Sequence, residues 1–185
     1  MGAMGGERRD GALPTSGAGW LAFGWGVGGV GAVLVEGVLR LAPIAAGVIE
    51  AELGALHWLT MGVWSAFMVY AESWRGFHLQ FSPRVVARSL AVAADGRPWL
   101  VVLAPLVAMG LLYATRRRLA GAWGLVIGIV GMVVAIRALP APWRAIADAG
   151  VVLGLGLGAV SLAIHVGAAA LGKLPTIDPD LPTRT

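Results

Sequence analysis

The stretch Ala149–Gly172, AGVVLGLGLGAVSLAIHVGAAALG, decides the fold class. It contains no Asp, Glu, Lys or Arg, and its strongly polar residues are Ser161 and His165. A helix rises about 1.5 Å per residue, so roughly 20 residues cross the ~30 Å hydrocarbon layer of a bilayer. This stretch is long enough to do so. Lipid is the environment that leaves such a surface without a penalty.

Four more apolar segments precede it. Trp20–Leu39 is interrupted only by Glu36, Leu53–Ala71 carries His57, Trp99–Thr115 has Pro105 near its middle, and Leu119–Ile136 has no ionisable residue. The chain therefore reads as an all-α integral membrane protein with about five transmembrane helices, at 20–39, 53–71, 99–115, 119–136 and 149–172. The third is short and needs Pro98 and its flanks to reach across. Trp20, Trp58, Trp74, Trp99, Trp123 and Trp143 fall near these limits, where an amphipathic ring prefers the headgroup level, whereas Trp25 and Trp64 lie deeper.

Composition agrees. Hydrophobic residues make up 58% of the chain and charged residues 13%, about half the charge of an ordinary soluble domain. With no cysteine there are no disulfides, thiolate zinc sites or iron–sulfur clusters. The net charge of +4 sits on arginines in the gaps between apolar runs, which suits lipid phosphates and topology rather than nucleic acid.

The connections are of several kinds. Residues 1–19 form a polar tail and 173–185 an extended Pro-rich one. Ala42-Pro43 reads as a bend that starts a second helix, running from Ile44 to Trp74. Arg116-Arg117-Arg118 reads as the short turn of a helical hairpin. In the loop before the third span, Ser82-Pro83 opens a short amphipathic helix over 82–94. Arg84 and Arg88, four apart, place this helix in the interface with its arginines toward phosphates. Five spans put the termini on opposite sides. The side of the N-terminus then carries eight basic residues against six, which favours a cytoplasmic N-terminus in a cytoplasmic (inner) membrane.

Intramembrane ionisable residues are functional suspects by default. Glu36, His57 and His165 fall in one half of the bilayer if five helices alternate. His57 and His165 would then be candidate axial ligands of a b-type haem, although the composition calls for no cofactor. Glu36 is equally served by Arg40 one turn on. Glu72 and Arg75 close the second span and, with Arg84 and Arg88, suit a lipid headgroup or a partner protein. Gly150, Gly154 and Gly158 are spaced four apart, as are Gly24/Gly28 and Gly124/Gly128, which lets another helix approach closely. No catalytic or metal-binding motif accompanies them. The reading that follows is an accessory subunit of a larger membrane assembly, packing on other subunits or on its own copies through Gly-rich helix faces and polar tails. A small transporter or channel is the first alternative, and a haem-bearing redox or lipid-modifying protein built on Glu36, His57 and His165 the second.

Overall fold

The structure is a computed structural model that describes residues 13–182; the first twelve residues of the N-terminal tail and Arg184 lie outside the described residues. Among the described residues it is all-helical, in the order α1 (Gly17–Glu50), α2 (Ala55–Met68), a π-helical segment (Val69–Phe81), α3 (Ser82–Asp95), α4 (Pro98–Val102), α5 (Ala104–Ala108), α6 (Arg116–Arg137) and α7 (Trp143–Ala170). Three of these, α1, α6 and α7, are long and apolar enough to cross a membrane.

Ser16 caps α1, its Oγ accepting from the Gly19 N–H at 3.1 Å. The helix then runs through Pro43, where the sequence suggests a bend, and breaks only at Ala51. A proline inside a helix removes one backbone bond. Membrane helices tolerate this because neighbouring groups take up the freed carbonyl.

The second helix is also longer than the sequence suggests. From Ala55 to Asp95 the backbone stays helical without a break, Ser82 itself being in the right-handed helical region. The Ser82 N–H donates to the Phe77 carbonyl, five residues back. This is the i→i−5 bond of a π-helix, seldom longer than one turn. Its five-residue step aligns Glu72, Phe77 and Ser82 in one row, and Ser73 and His78 in the next.

The expected interfacial helix exists over nearly the expected residues, but it does not lie on the surface. Val85, Val86, Leu90 and Val92 of α3 are fully or almost fully buried, and so is Arg88, at 1% exposure. The small and β-branched side chains of α3 pack with Phe23, Val27, Val30 and Leu34 of α1 in the central cluster. Gly26 of α1 makes room, since a Cβ there would stand 2.7 Å from Ser89 Oγ. The third expected span is corrected too. Residues 99–115 form two five-residue helices and a turn through Gly110 at φ +77°, too short to cross. They are apolar because protein covers them: Leu100, Ala104, Val107 and Ala108 are 0–1% exposed. Pro105 seats on Gly29 of α1, where any side chain would collide with it.

α7 is the axis of the bundle. It lies antiparallel to α1, with Gly37 facing Leu155 and Gly47 facing Ala145. It lies parallel to the α2–π run, because Trp64, Ser73 and Ser82 meet Ala147, Gly154 and Ser161 in turn. Leu13 and Leu174 pack against the same cluster. The two ends of the described chain are therefore at one end of the bundle, not at opposite ends. α6 stands apart: none of its residues is buried.

Candidate functional site

The polar groups of the interior concentrate along the seam between the π-segment and α7. The Gly150, Gly154 and Gly158 stripe receives this seam from within the chain. A side chain at 150 would strike the Trp64 ring, one at 154 the Glu72 carboxylate, and one at 158 the Phe77 ring at 2.7 Å. Trp64 then donates its Nε1–H to the Ala147 carbonyl at 3.0 Å, and Ser73 Oγ donates to the Gly154 carbonyl at 3.2 Å. The other deep tryptophan, Trp25, likewise donates to a carbonyl across a helix boundary, that of Val102 at 3.2 Å.

Farther along the seam, hydrogen bonds hold two imidazoles in place. His165 Nδ1 lies 2.8 Å from the Ser161 carbonyl, which only accepts, so Nδ1 carries the proton. Ser161 Oγ lies 3.2 Å from Ser82 Oγ and 3.1 Å from His78 Nδ1, so one hydroxyl joins Ser82 to the second ring. The two rings stand edge-on at 4.9 Å. His165 also lines a cavity of about 250 Å³ with Pro83, Val86, Ala168 and the first residues of the C-terminal tail, Lys173–Ile177.

Glu72 turns toward Gly154 rather than toward Arg75, and its Oε2 is buried without a hydrogen-bond partner. Arg75 is exposed on the far side of the π-segment and forms no ion pair among the described residues. Trp74 stacks on His78 at 4.8 Å, which holds that ring against α7.

The other expected residues are elsewhere. Glu36 is paired with Arg40, both on the exposed side of α1. His57 accepts the Gly54 N–H on its Nδ1 at 3.2 Å, closing the first turn of α2, and its ring lies against Trp143 at 4.6 Å. Trp143 begins α7 and His165 lies 22 residues on (165 − 143), which a helical rise converts to roughly 33 Å. His57 and His165 thus cannot ligate one haem. The antiparallel alternation that put them at one depth required five crossings, and the parallel packing of α2 with α7 removes it. The histidine that does meet His165 is His78, hidden from a 3.6-residue reading by the π-helical step.

Arg84 and Arg88 also differ from expectation. Instead of both facing phosphates, Arg88 points inward. Its Nε donates to the Pro179 carbonyl at 2.8 Å and its Nη1 to the Ala108 carbonyl at 3.4 Å, while Nη2 lies 3.6 Å from an Asp180 carboxylate oxygen. Burial, and then the charge of Arg118, lowers its pKa to about 10, so it stays charged at neutral pH. It pins the tail to α3 and to the turn after α5.

Comparison with protein-family models, curated proteins and solved structures finds no match for this chain.

What the seam offers chemically is a half-buried carboxyl group, three hydroxyls and two imidazoles in sequence along one helix interface. What the surface offers is a bare helix, α6.

Proposed function

We propose that this chain is an accessory subunit of a membrane assembly and that α6 is the helix that joins it to the rest. The observation behind this reading is that α6 runs 22 residues and buries none of them. Gly121, Gly124, Gly128 and Gly131 repeat along one face, and nothing lies within 4 Å of a Cβ built at any of them. In lipid there is no hydrophobic gain from helix association, so close fit supplies the energy, and small residues permit it. Lipid tails fill such a groove poorly. Gly150, Gly154 and Gly158 of α7 are already occupied by the chain's own π-segment, and the four open glycines of α6 make a longer face than the open Gly24, Gly28 and Gly31 of α1.

The same reading places four crossings in the bilayer: α1, the α2–π run, α6 and α7, with α4 and α5 entering from one side and returning. Both described ends then share a side with Arg84, Arg97, Arg116, Arg117, Arg118 and Lys173, while Arg40, Arg137 and Arg144 belong to the other. Basic residues mark the cytoplasmic face. We assign the N-terminus to the cytoplasm of an inner membrane on that basis.

The test is the mass of the particle in mild detergent. The wild type should exceed the 19.0 kDa of one chain, and Gly124→Leu/Gly128→Leu should fall to a monomer with unchanged helicity, since neither position touches anything in the fold. A monomeric wild type, or an assembly indifferent to the double variant, overturns the reading. Masses in multiples of 19.0 kDa identify a homo-oligomer and other increments a foreign subunit.

The seam supports a second reading, a small transporter moving protons between Glu72 and the His78/His165 pair. Proteoliposomes loaded with a pH dye would then show flux that Glu72→Gln abolishes without changing the particle mass. Absence of flux through the wild type removes this reading.

A further inference from the structure

Where the C-terminal tail crosses α3, the arginines Arg84, Arg88 and Arg118 come near one another, and Arg88 pairs with Asp180. Arg84 and Arg88 stand one turn apart on α3, and Arg88 reaches the Asp180 carboxylate at 3.6 Å. The Thr115 N–H donates to the Asp180 carbonyl at 3.1 Å, which brings the start of α6, and with it Arg118, to the same place. Arg118 feels the charges of both Arg84 and Asp180. Asp178, whose Oδ1 accepts the Asp180 N–H at 2.7 Å, is the second carboxylate on this stretch of tail, so three positive charges stand against two, a balance of +1 (3 − 2).

The donors are also unbalanced. Arg84 Nε, Arg88 Nη2 and Arg118 Nε are each buried with no hydrogen-bond acceptor. More than nine in ten buried polar groups in native proteins are satisfied, and an orphan calls for a missing acceptor. Asp180 does not supply it, because its 3.6 Å approach to Arg88 is longer than a hydrogen bond. Arg84 spends only its Nη1 on a carbonyl, that of Gln80 at 3.5 Å, and an oxygen-rich anion is the kind of acceptor that suits guanidinium donors.

We propose that Arg84 and Arg118, with the buried Arg88 behind them, form a binding site for a phosphate group, either that of an anionic phospholipid or inorganic phosphate. Phosphate fits because its oxygens accept from several guanidinium forks at once, which one further carboxylate does less completely. The lipid source is natural by position: Arg116–Arg118 come immediately before the apolar run Leu119–Ile136, the level of the headgroups. This site is independent of α6 as an assembly helix, since it uses neither the glycine face nor a partner.

The experiment is thermal unfolding of the detergent-purified full chain at fixed ionic strength. Phosphatidylglycerol, diacylglycerol and inorganic phosphate are added separately, and native mass spectrometry counts retained lipid. A ligand bound to the folded state raises the midpoint by mass action. Phosphatidylglycerol should raise it and remain bound, and diacylglycerol, lacking phosphate, should do neither. In Arg84→Gln/Arg118→Gln, affinity should fall tenfold or more while the midpoint without ligand stays near that of the wild type, because both side chains are only partly buried. An effect of the lipid without one of inorganic phosphate assigns the site to a headgroup, and the reverse assigns it to free phosphate. If neither probe acts, or the double variant binds both as the wild type does, the proposal is overturned.

Discussion

Gly158→Leu should unfold the bundle, or shift its thermal midpoint far below that of the wild type, while Gly156→Leu leaves it in place. The two residues are neighbours on α7 and identical in helix propensity. A Cβ at 158 would stand 2.7 Å from the Phe77 ring, whereas nothing lies within 4 Å of one at 156. In a bilayer the transfer of a leucine away from water contributes nothing to holding helices together, so the seam depends on fit. Forcing a branched side chain into it displaces Phe77 and, with it, the π-segment that carries Glu72 and His78. Overpacking costs about 1–3 kcal/mol where a core can adjust and more where it cannot. Here the obstacle is an aromatic ring against backbone, and a loss above ~3 kcal/mol is expected. Unfolding in detergent, followed by tryptophan fluorescence, measures it. Equal effects at 156 and 158 would mean that the glycine stripe does not seat the π-segment.

Arg88→Met should release the C-terminal tail. Methionine keeps much of the bulk but strands the carbonyls of Pro179 and Ala108, and it leaves Asp180 without its cation. Breaking a fully buried ion pair from one side costs about 3–5 kcal/mol. Asp180 is 38% exposed, so water recovers part of that, and about 3 kcal/mol is the expected loss. Asp180→Asn should cost less than half as much, because the two carbonyl bonds to Arg88 persist. The chain has no cysteine, so Leu181→Cys gives one reporter thiol where Leu181 packs against the second cluster. It should react slowly in the wild-type background and rapidly beside Arg88→Met. Slow labelling in both would show that the tail is held by something other than Arg88.

Much of the architecture is legible in the sequence, and the omissions share a cause. Apolar length and tryptophan position identify α1, α6 and α7, because lipid imposes its requirement segment by segment. Residues 99–115 are as apolar as a span for a different reason: Gly26 and Gly29 of α1 bring α3 and α5 onto that helix. Apolar composition registers burial, not what does the burying. Arg84 and Arg88 are four apart, which places them on one helix face, but whether that face meets phosphate or protein is decided by a tail some ninety positions downstream. At the candidate site, the four-residue spacing of Gly150, Gly154 and Gly158 is plain in the sequence, and so are Glu72 and His165 as polar residues in apolar company. The His78–Ser161–Ser82 connection is not, since it follows from a π-helical step that no 3.6-residue pattern represents.

The pin formed by Arg88 has a consequence for the order in which the protein is made. Its carbonyl partner, Pro179, is synthesised 91 residues later. At ribosomal speeds of about 5–20 residues per second, that is a wait of roughly five to twenty seconds. Ala108, the nearer carbonyl partner, follows Arg88 by only 20 residues, so it is the Pro179 half of the pin that waits. The pin is therefore complete only when the tail after α7 has been made, and a chain that stops at Ala170 lacks both its Pro179 and its Asp180 contact.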